Sequence, residues 1–461
     1  MDDISIKEAF NLKREYFDNG NTKSYDFRFH KLQILKDAIK RYELEIVDAL
    51  YKDLHKSDFE AFTSEIGFVY DEINYIMKHL KSWMKPKKVA TPVTTYPAKS
   101  YLYSEPLGVV LIVGPWNYPF HLLMAPLVGA IAAGNCAILK PSNQANNTAK
   151  VVEKIITEIF DEEYISVIQG PGSILGNMLI EKFRFDHIFF TGSERVGKEV
   201  LKMAAAHLTP VTLELGGKSP AIVDKNTNLD LAAKRLTTAK YYNAGQTCVA
   251  PDYLLVHEDV KEDFLKIMIK YIKDFFGDNP RESKDLGRII NEKRFDVLKG
   301  FLDEGHVIVG GESNREEKYI APTIIDGIDL DSAIMQEEIF GPILPVMTYK
   351  DTDQIIKVVR KNRYPLALYL FTNDKELEDF IIERIEFGGG CINNGLLHLL
   401  NSKLPFGGVG NSGMGNYHGR YSFDRFSHKK SILKSHKNID MPLRYPPYSE
   451  GQLNLVKKVM K

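Results

Sequence analysis

GVVLIVGPWNYPFHLLMAPLVGAIAAGNCAILK, residues 108–140, decides the architecture of this chain. GVVLIVG is wholly apolar and closed by a glycine, the signature of a strand buried on both faces. PFHLLMAPLVGAIAAGN reads as a helix and CAILK as a second buried strand. Within it, residues 122–139 carry no charge over 18 positions. That is close to the roughly 20 apolar residues of a membrane helix. Pro126, Gly129, Gly134 and Asn135 interrupt the run and Lys140 follows it, so a buried helix leading into a buried strand accounts for it better.

The same rhythm continues outward. NTAKVVEKIITEIF, GSILGNMLIEK and ERVGKEVLKMAAAH read as helices between the apolar runs ISVIQG, HIFFTGS and VTLELGG, and SPAIVD closes this half. Strand and helix alternating in this way predict a parallel, doubly wound sheet. A second alternating run begins near residue 215 and includes YLLVHEDV, ILPVMTYK, LALYLFTN and GGGCINN. Residues 1–86 read as helices. Residues 91–105 and SHKKSILKS, residues 427–435, read as extended segments outside the rhythm. LPFGGVGNSGMGNYHG, residues 404–419, is too rich in glycine for a regular element.

Sixty basic and 61 acidic residues leave a formal net charge of −1, so nothing draws the chain as a whole toward nucleic acid. Three cysteines in 461 residues cannot all pair with each other and show no zinc-ligand spacing, which implies no metal and reduced thiols in a cytoplasmic setting. MDDISIKEAF lacks the basic flank and apolar core of a secretory signal.

Cys248, in YYNAGQTCVAPDY, falls between a predicted helix and a predicted strand, where catalytic residues tend to sit. The local string also suits an ordinary semi-buried thiol. A nucleophilic thiol needs a base and an oxyanion acceptor. Glu214, in TLELGGKSP, ends a predicted strand, the place where open α/β sheets bind ligands; pairing with a lysine is the alternative. Asn117, in GPWNYPF, follows another strand and can offer an amide donor, or form an Asx turn ahead of Pro119. FTGSERVGKEV puts Gly192 and Gly197 at a strand-to-helix turn whose backbone N–H groups could face a pyrophosphate, or simply cap a helix. Lys140, in ILKPSN, either reaches ribose hydroxyls or is solvated. Cys136 suits the core, and Cys391 ends a strand near the presumed site.

Together GPWNYP, LKPS, FTGSERVG, LELGGKSP, GQTC, QEEIFGP and PFGGVGNSGMG, in this order, resemble the aldehyde dehydrogenase superfamily over roughly residues 100–430. The short region before GPWNYP, the FTGSERVG wording and the LRYPPY tail are similar to its class 3 branch. That branch favours medium and long aliphatic or aromatic aldehydes and usually forms dimers. The resemblance implies a Rossmann-like dinucleotide-binding domain (1–86 and 106–213), a second α/β catalytic domain (214–403) and a small β-strand oligomerisation arm (87–105 and 415–440). It also implies oxidation of aldehydes to carboxylates with NAD or NADP by a homodimer. Cys248 would be the nucleophile, Asn117 and the Cys248 N–H the oxyanion hole, and Glu214 the base that activates water. Glu338 would bind the nicotinamide ribose with Phe340 beside it, and Phe406 would pack near the nicotinamide. Lys140, Gly192 and Ser193 would lie around the adenosine and pyrophosphate. Many NAD-preferring relatives have a glutamate three residues after the lysine; Asn143 stands there, which opens the site to NADP. A cysteine-dependent esterase or thioesterase, and an acylating dehydrogenase, are the competing activities.

Overall fold

A computed structural model of the chain describes residues 3–460; the first two residues of the expected 1–86 segment lie outside them. The strand–helix–strand reading of 108–140 is realised as Val109–Val113, the helix His121–Ala133 and Cys136–Lys140. Every residue of that helix is buried. Gly134 ends it at φ +92, a left-handed conformation that favours glycine. Asn135 then joins three segments, accepting the N–H of Gly108 and donating to the carbonyls of Ala130 and Phe426. The uncharged stretch is therefore packed core, and among the described residues no helix is long and apolar enough to cross a membrane.

Six strands form the first sheet, in the order Gly413–Met414, Val211–Glu214, His187–Thr191, Val109–Val113, Cys136–Lys140, Ile165–Val167. All pair in parallel except Gly413–Met414, an antiparallel edge. The order reverses between Val109–Val113 and His187–Thr191. Ligands bind outside the carboxyl ends of strands at such a switch point, and here those ends lead into Gly114–Asn117 and Gly192–Ser193.

A seven-stranded sheet follows the order His306–Val309, Thr323–Asp326, Ile343–Tyr349, Tyr253–His257, Pro220–Val223, Ala367–Phe371, Gly389–Ile392. Only the first of these runs antiparallel to its neighbour. Lys87–Val89, Lys99–Pro106 and Ser427–Lys434 form a separate antiparallel three-stranded sheet.

Several sequence expectations need correction. SPAIVD does not close the first sheet: Pro220–Val223 pairs with Tyr253–His257 and Ala367–Phe371 in the second. YLLVHEDV supplies the strand Tyr253–His257, buried at every position in mid-sheet and with no solvent-facing side. In 91–105 only Lys99–Pro106 is a strand, Val93–Thr95 is a 3-10 turn, and Lys87–Val89 is a strand that the sequence reading lacked. The glycine-rich 404–419 segment does contribute structure. Gly413–Met414 adds an edge to Val211–Glu214, where a Cβ on Gly413 would stand 2.3 Å from the Leu213 carbonyl oxygen.

Candidate active site

Cys248 sits between two cavities and lines both. One, of about 740 Å³, opens over the carboxyl ends of the first sheet and gathers Asn117, Gly192, Ser193, Glu214, Glu338 and Phe340 around the sulfur. The other, of about 460 Å³, shares Cys248 and Leu122 with the first, and Phe68, Tyr118, Val249, Phe406 and Tyr417 are among its walls. Seven of the eleven predicted site residues thus share the larger cavity with one another. Lys140, Asn143, Gly197 and Phe406 do not line it.

The backbone before Cys248 is unusual. Asn243, Ala244 and Gly245 follow one another at φ 51, 50 and 73. A left-handed conformation costs a residue with a Cβ roughly 1–2 kcal/mol, so the surroundings must hold this turn. Gly245 permits a close approach, since a Cβ there would lie 2.2 Å from the carbonyl oxygen of Gly341. Asn243 Nδ2 donates to the carbonyls of Asn117 and Gln246. Gln246 Nε2 donates to Asn243 and Arg288, and its Oε1 accepts the N–H of Ile290. The two amide side chains pin the loop on both sides.

Asn117 is buried, and its side-chain NH2 donates to the Gln246 carbonyl at 3.0 Å. An amide NH2 carries two hydrogens, so the second remains for a ligand in the cavity. Its loop is clamped by a fully buried ion pair. Lys56 Nζ lies 2.5 Å from Glu65 Oε1 and donates to the Asn117 carbonyl, while Glu65 Oε2 accepts the N–H groups of Phe120 and His121.

Glu214 ends its strand with both carboxyl oxygens buried and without a hydrogen-bond partner among the described residues. Burial pushes its pKa well up, with Arg425 opposing. Burial also pushes the Cys248 thiol up, reinforced by Glu338 and Glu214. The backbone N–H groups of Cys248 and Val249 work the other way, toward the thiolate. Glu338 rises to about 8 through burial and Asp252, opposed by a hydrogen bond from the Gly217 backbone. The Glu338 carboxyl presses on Gly216, where a Cβ would stand 2.1 Å from Oε2. Its segment is tied down by Lys218, which pairs with Asp252 and donates to the carbonyls of Ile334 and Glu337, and by Arg294, which donates to the carbonyl of Glu338. Phe340, at φ 50, packs edge-on against Trp116.

The glycine turn does not work as the sequence suggested. The N–H of Gly192 donates to the Glu214 carbonyl and that of Gly197 to the Ser193 carbonyl, so neither can face a pyrophosphate. Both glycines serve packing: a Cβ would lie 2.6 Å from the Phe190 ring at Gly192 and 2.7 Å from the Leu215 side chain at Gly197. The unpaired donors at this turn are those that any helix leaves in its first turn, here the start of Glu194–Ala205. Phe406 also needs correction. Its backbone bridges to Tyr417 and its ring stacks on His418, and it lines the second cavity, not the one that holds Glu338. Lys140 is buried at its strand end and donates to the Pro141 carbonyl, and Asn143 is exposed in the following turn. Cys136 is buried, and half-buried Cys391 lies 3.5 Å from His398 Nδ1.

The supporting residues Lys56, Glu65, Asn243, Gln246, Lys218, Asp252 and Arg294 were not legible as a group. Their partners lie far apart in the chain, Lys56 and Asn117 by 61 positions and Lys218 and Asp252 by 34. Buried lysines beside loop motifs were the one available signal, and burial itself is a tertiary property.

The family model described as "Aldehyde dehydrogenase family" matches residues 2–432. A 4,4'-diaponeurosporen-aldehyde dehydrogenase of Staphylococcus aureus is 47% identical over 458 residues, covering 99% of each chain. Mouse aldehyde dehydrogenase family 3 member B1 is 43% identical, covering 99% of this chain and 98% of that one. A Staphylococcus aureus AldH solved in its substrate-bound state superposes with a TM-score of 0.96 at 47% identity, covering 99% of each chain.

Proposed function

The chain belongs to the aldehyde dehydrogenase family, whose members oxidise aldehydes with NAD or NADP through a cysteine, and from that premise we propose roles for its residues. The observation that carries the assignment is Cys248 shared by two cavities, of which the larger carries the charged and polar side chains and the other is the more apolar, which suits a thiol that meets a dinucleotide from one and an aldehyde from the other.

The larger cavity fits a dinucleotide. Gly216 and Gly217 leave a floor without side chains beside Glu338, and the first turn of Glu194–Ala205 offers free N–H groups. Glu338 would hold the nicotinamide ribose and Phe340 would flank the ring, with Ser193 nearer the phosphates. When bound, the cofactor supplies a hydride acceptor.

Cys248 attacks the aldehyde carbonyl to give a thiohemiacetal. The second N–H of the Asn117 amide and the Cys248 N–H stabilise the oxyanion. Loss of hydride leaves a thioester on Cys248. Glu214, whose raised pKa makes its carboxylate a stronger base, takes a proton from the water that hydrolyses it. Proton transfer from the thiol to Glu214 keeps the net charge of the buried pair constant, which lowers the cost of forming the thiolate; Glu214 gives that proton up through the larger cavity, which it lines, before it serves as the base for hydrolysis.

The apolar cavity supports medium and long aliphatic or aromatic aldehydes as substrates. A homodimer would form through the three-stranded sheet, because a second copy would cover its free strand edges. Light scattering checks this, and a stable monomer contradicts it. A cytoplasmic setting accords with three unpaired cysteines.

The central test is Cys248→Ser. A serine hydroxyl is a far poorer nucleophile than a thiol, so the variant should bind cofactor and lose turnover. Turnover within about tenfold of the parent sinks the assignment.

A further inference from the structure

We propose that Lys234 and Arg235 form a cationic rim on the apolar cavity, and that this rim selects aldehydes carrying a carboxylate at the far end of an apolar chain. The inference rests on the dehydrogenase reading above and narrows its substrate class.

The helix Leu229–Tyr241 lays one face along the second cavity. Leu231, Lys234, Arg235, Thr238 and Ala239 border it at spacings of three and four, and Tyr242 follows. The cavity is graded along this helix. Tyr118, Thr247 and Val249, which line it with Cys248, are buried. At the outer end Leu397 and Leu400 are 52% and 58% exposed, and Leu231 is exposed too. Lys234, exposed, and Arg235, half-buried, stand one turn from Leu231. The mouth is therefore an apolar ring that carries two adjacent cations.

Among the described residues no aspartate or glutamate lines this cavity. Burial draws His121 and His418 on its wall down to about 3 and about 4, so Lys234 and Arg235 supply its fixed charge. Arg235 Nη1 donates to the Asn393 carbonyl at 2.6 Å, which steadies the guanidinium beside Asn394 at the cavity wall. A guanidinium has five N–H donors, so others remain for a ligand. Among the described residues no carboxylate pairs with either cation. The one acid on their helix, Asp230, accepts the Tyr271 hydroxyl. On the adjoining helix Lys261–Phe276, by contrast, Lys261, Lys266 and Lys273 each hold a carboxylate. A solvated lysine explains one unpaired cation on a surface. Two side by side, at the edge of an apolar cavity without an acid, complement an anion whose carbon chain lies inside.

The helix also measures the chain. At about 1.5 Å per residue, Arg235 stands roughly 10 Å along it from Tyr242, where the turn toward Cys248 begins. An extended chain advances ~1.2 Å per bond, as an extended backbone does, so about eight bonds separate the aldehyde carbon from the carboxylate. The reaction is the one already assigned: NAD(P)+ takes a hydride from the aldehyde carbon, water supplies the second oxygen, and the protons leave to solvent. The product is then a dicarboxylate.

The experiment measures kcat and KM of the full chain with three aldehydes. Azelaic semialdehyde has the required span, its methyl ester has the same chain without the charge, and succinic semialdehyde is too short to reach the rim. At low salt the acid should exceed the ester in kcat/KM by roughly five- to twentyfold, the yield of one exposed and one half-buried ion pair. The difference should lie in KM, because the anion is held equally before and during the reaction. Added salt should shrink it. Lys234→Gln and Arg235→Gln should each lower the ratio. Lys234→Glu, which sets a carboxylate beside Arg235 on an exposed side chain with no partner to lose, should bring acid and ester level. Succinic semialdehyde should fall well below both. A parent that favours the ester, a ratio unchanged in Lys234→Glu, or succinic semialdehyde as the best of the three overturns the proposal. Failure of all three aldehydes to reduce the cofactor would instead overturn the dehydrogenase reading on which it rests.

Discussion

Lys56→Met should cost both stability and catalysis, in amounts the geometry sets. Lys56 Nζ is 2.5 Å from Glu65 Oε1 with both side chains fully buried, 3.0 Å from the Asn117 carbonyl and 3.9 Å from the Tyr118 ring centre. At 2.5 Å and an effective dielectric of about 20, the Coulomb attraction is on the order of 6–7 kcal/mol before desolvation is subtracted. Breaking a buried pair by removing one partner typically costs ~3–5 kcal/mol, because the remaining charge stays buried. An unfolding entropy of about 2 cal/mol/K per residue over 461 residues comes to about 1 kcal/mol/K, so the Tm should fall by about 3–5 °C. The deficit should depend on pH. Burial already raises the Glu65 carboxyl, with Lys56 opposing, and removing the cation raises it further. An acid whose folded-state pKa is raised loses stability as pH climbs from its unfolded value of about 4.3 toward the folded one. The Tm deficit should therefore be small near pH 4 and grow above it. Asn117 also loses an anchor of its loop, and a displacement near 1 Å costs about 10²-fold in rate, so kcat should fall by that order. Scanning calorimetry and steady-state kinetics on Lys56→Met, Glu65→Gln and the double variant provide the assay. The double variant should lose less than the sum of the singles, since it leaves no unpaired charge. A single-variant shift below about 1 °C, or strict additivity, refutes the reasoning.

Glu214→Gln should slow thioester hydrolysis by ~10²–10⁴-fold and leave hydride transfer faster, seen as a burst of reduced cofactor. An equally slow first turnover would move Glu214 to an earlier step. Asn143→Glu should shift kcat/KM toward NAD by roughly tenfold to a hundredfold, because a glutamate accepts from ribose hydroxyls and repels a 2′-phosphate; an unchanged ratio shows that this exposed position does not read the ribose. Because burial, Glu338 and Glu214 hold the Cys248 thiol up, its alkylation without cofactor should keep accelerating beyond pH 9, where a free thiol with a pKa of about 8.5 levels off. A plateau below pH 8 would contradict the placement of those carboxylates.

The α/β alternation was legible because local patterns carry it. An apolar run closed by a glycine, as at 109–114, and an uncharged helix broken at Gly134–Asn135 specify strand and helix without distant partners. Cys248, Glu214 and Asn117 stood out as candidates too, since each follows or ends such a run at a joint between elements, and the fold brings the three to one cavity. Glycines misled more than any other residue. Gly192 and Gly197 looked like phosphate-binding donors, yet each is there because a neighbouring side chain leaves no room for a Cβ. The string GSERVG contains no trace of Phe190 or Leu215 lying against it.

By itself the sequence determined the element types, their order, the helix-breaking positions and the short motifs at strand ends, all properties of neighbouring residues. Only the tertiary structure decided which sheet a strand joins. Pro220–Val223 follows Val211–Glu214 after five residues but pairs in the other sheet, and Gly413–Met414 returns some 200 positions later to edge the first. It alone decided that Phe406 lines the second cavity at Cys248 and not the one that holds Glu338, and that Lys56 reaches both Glu65 and the Asn117 carbonyl. The physical reason is that burial, desolvation and charge pairing depend on distances between residues remote in the chain. The pKa of Glu214 or Cys248 is therefore a property of the folded enclosure and not of the letters beside it.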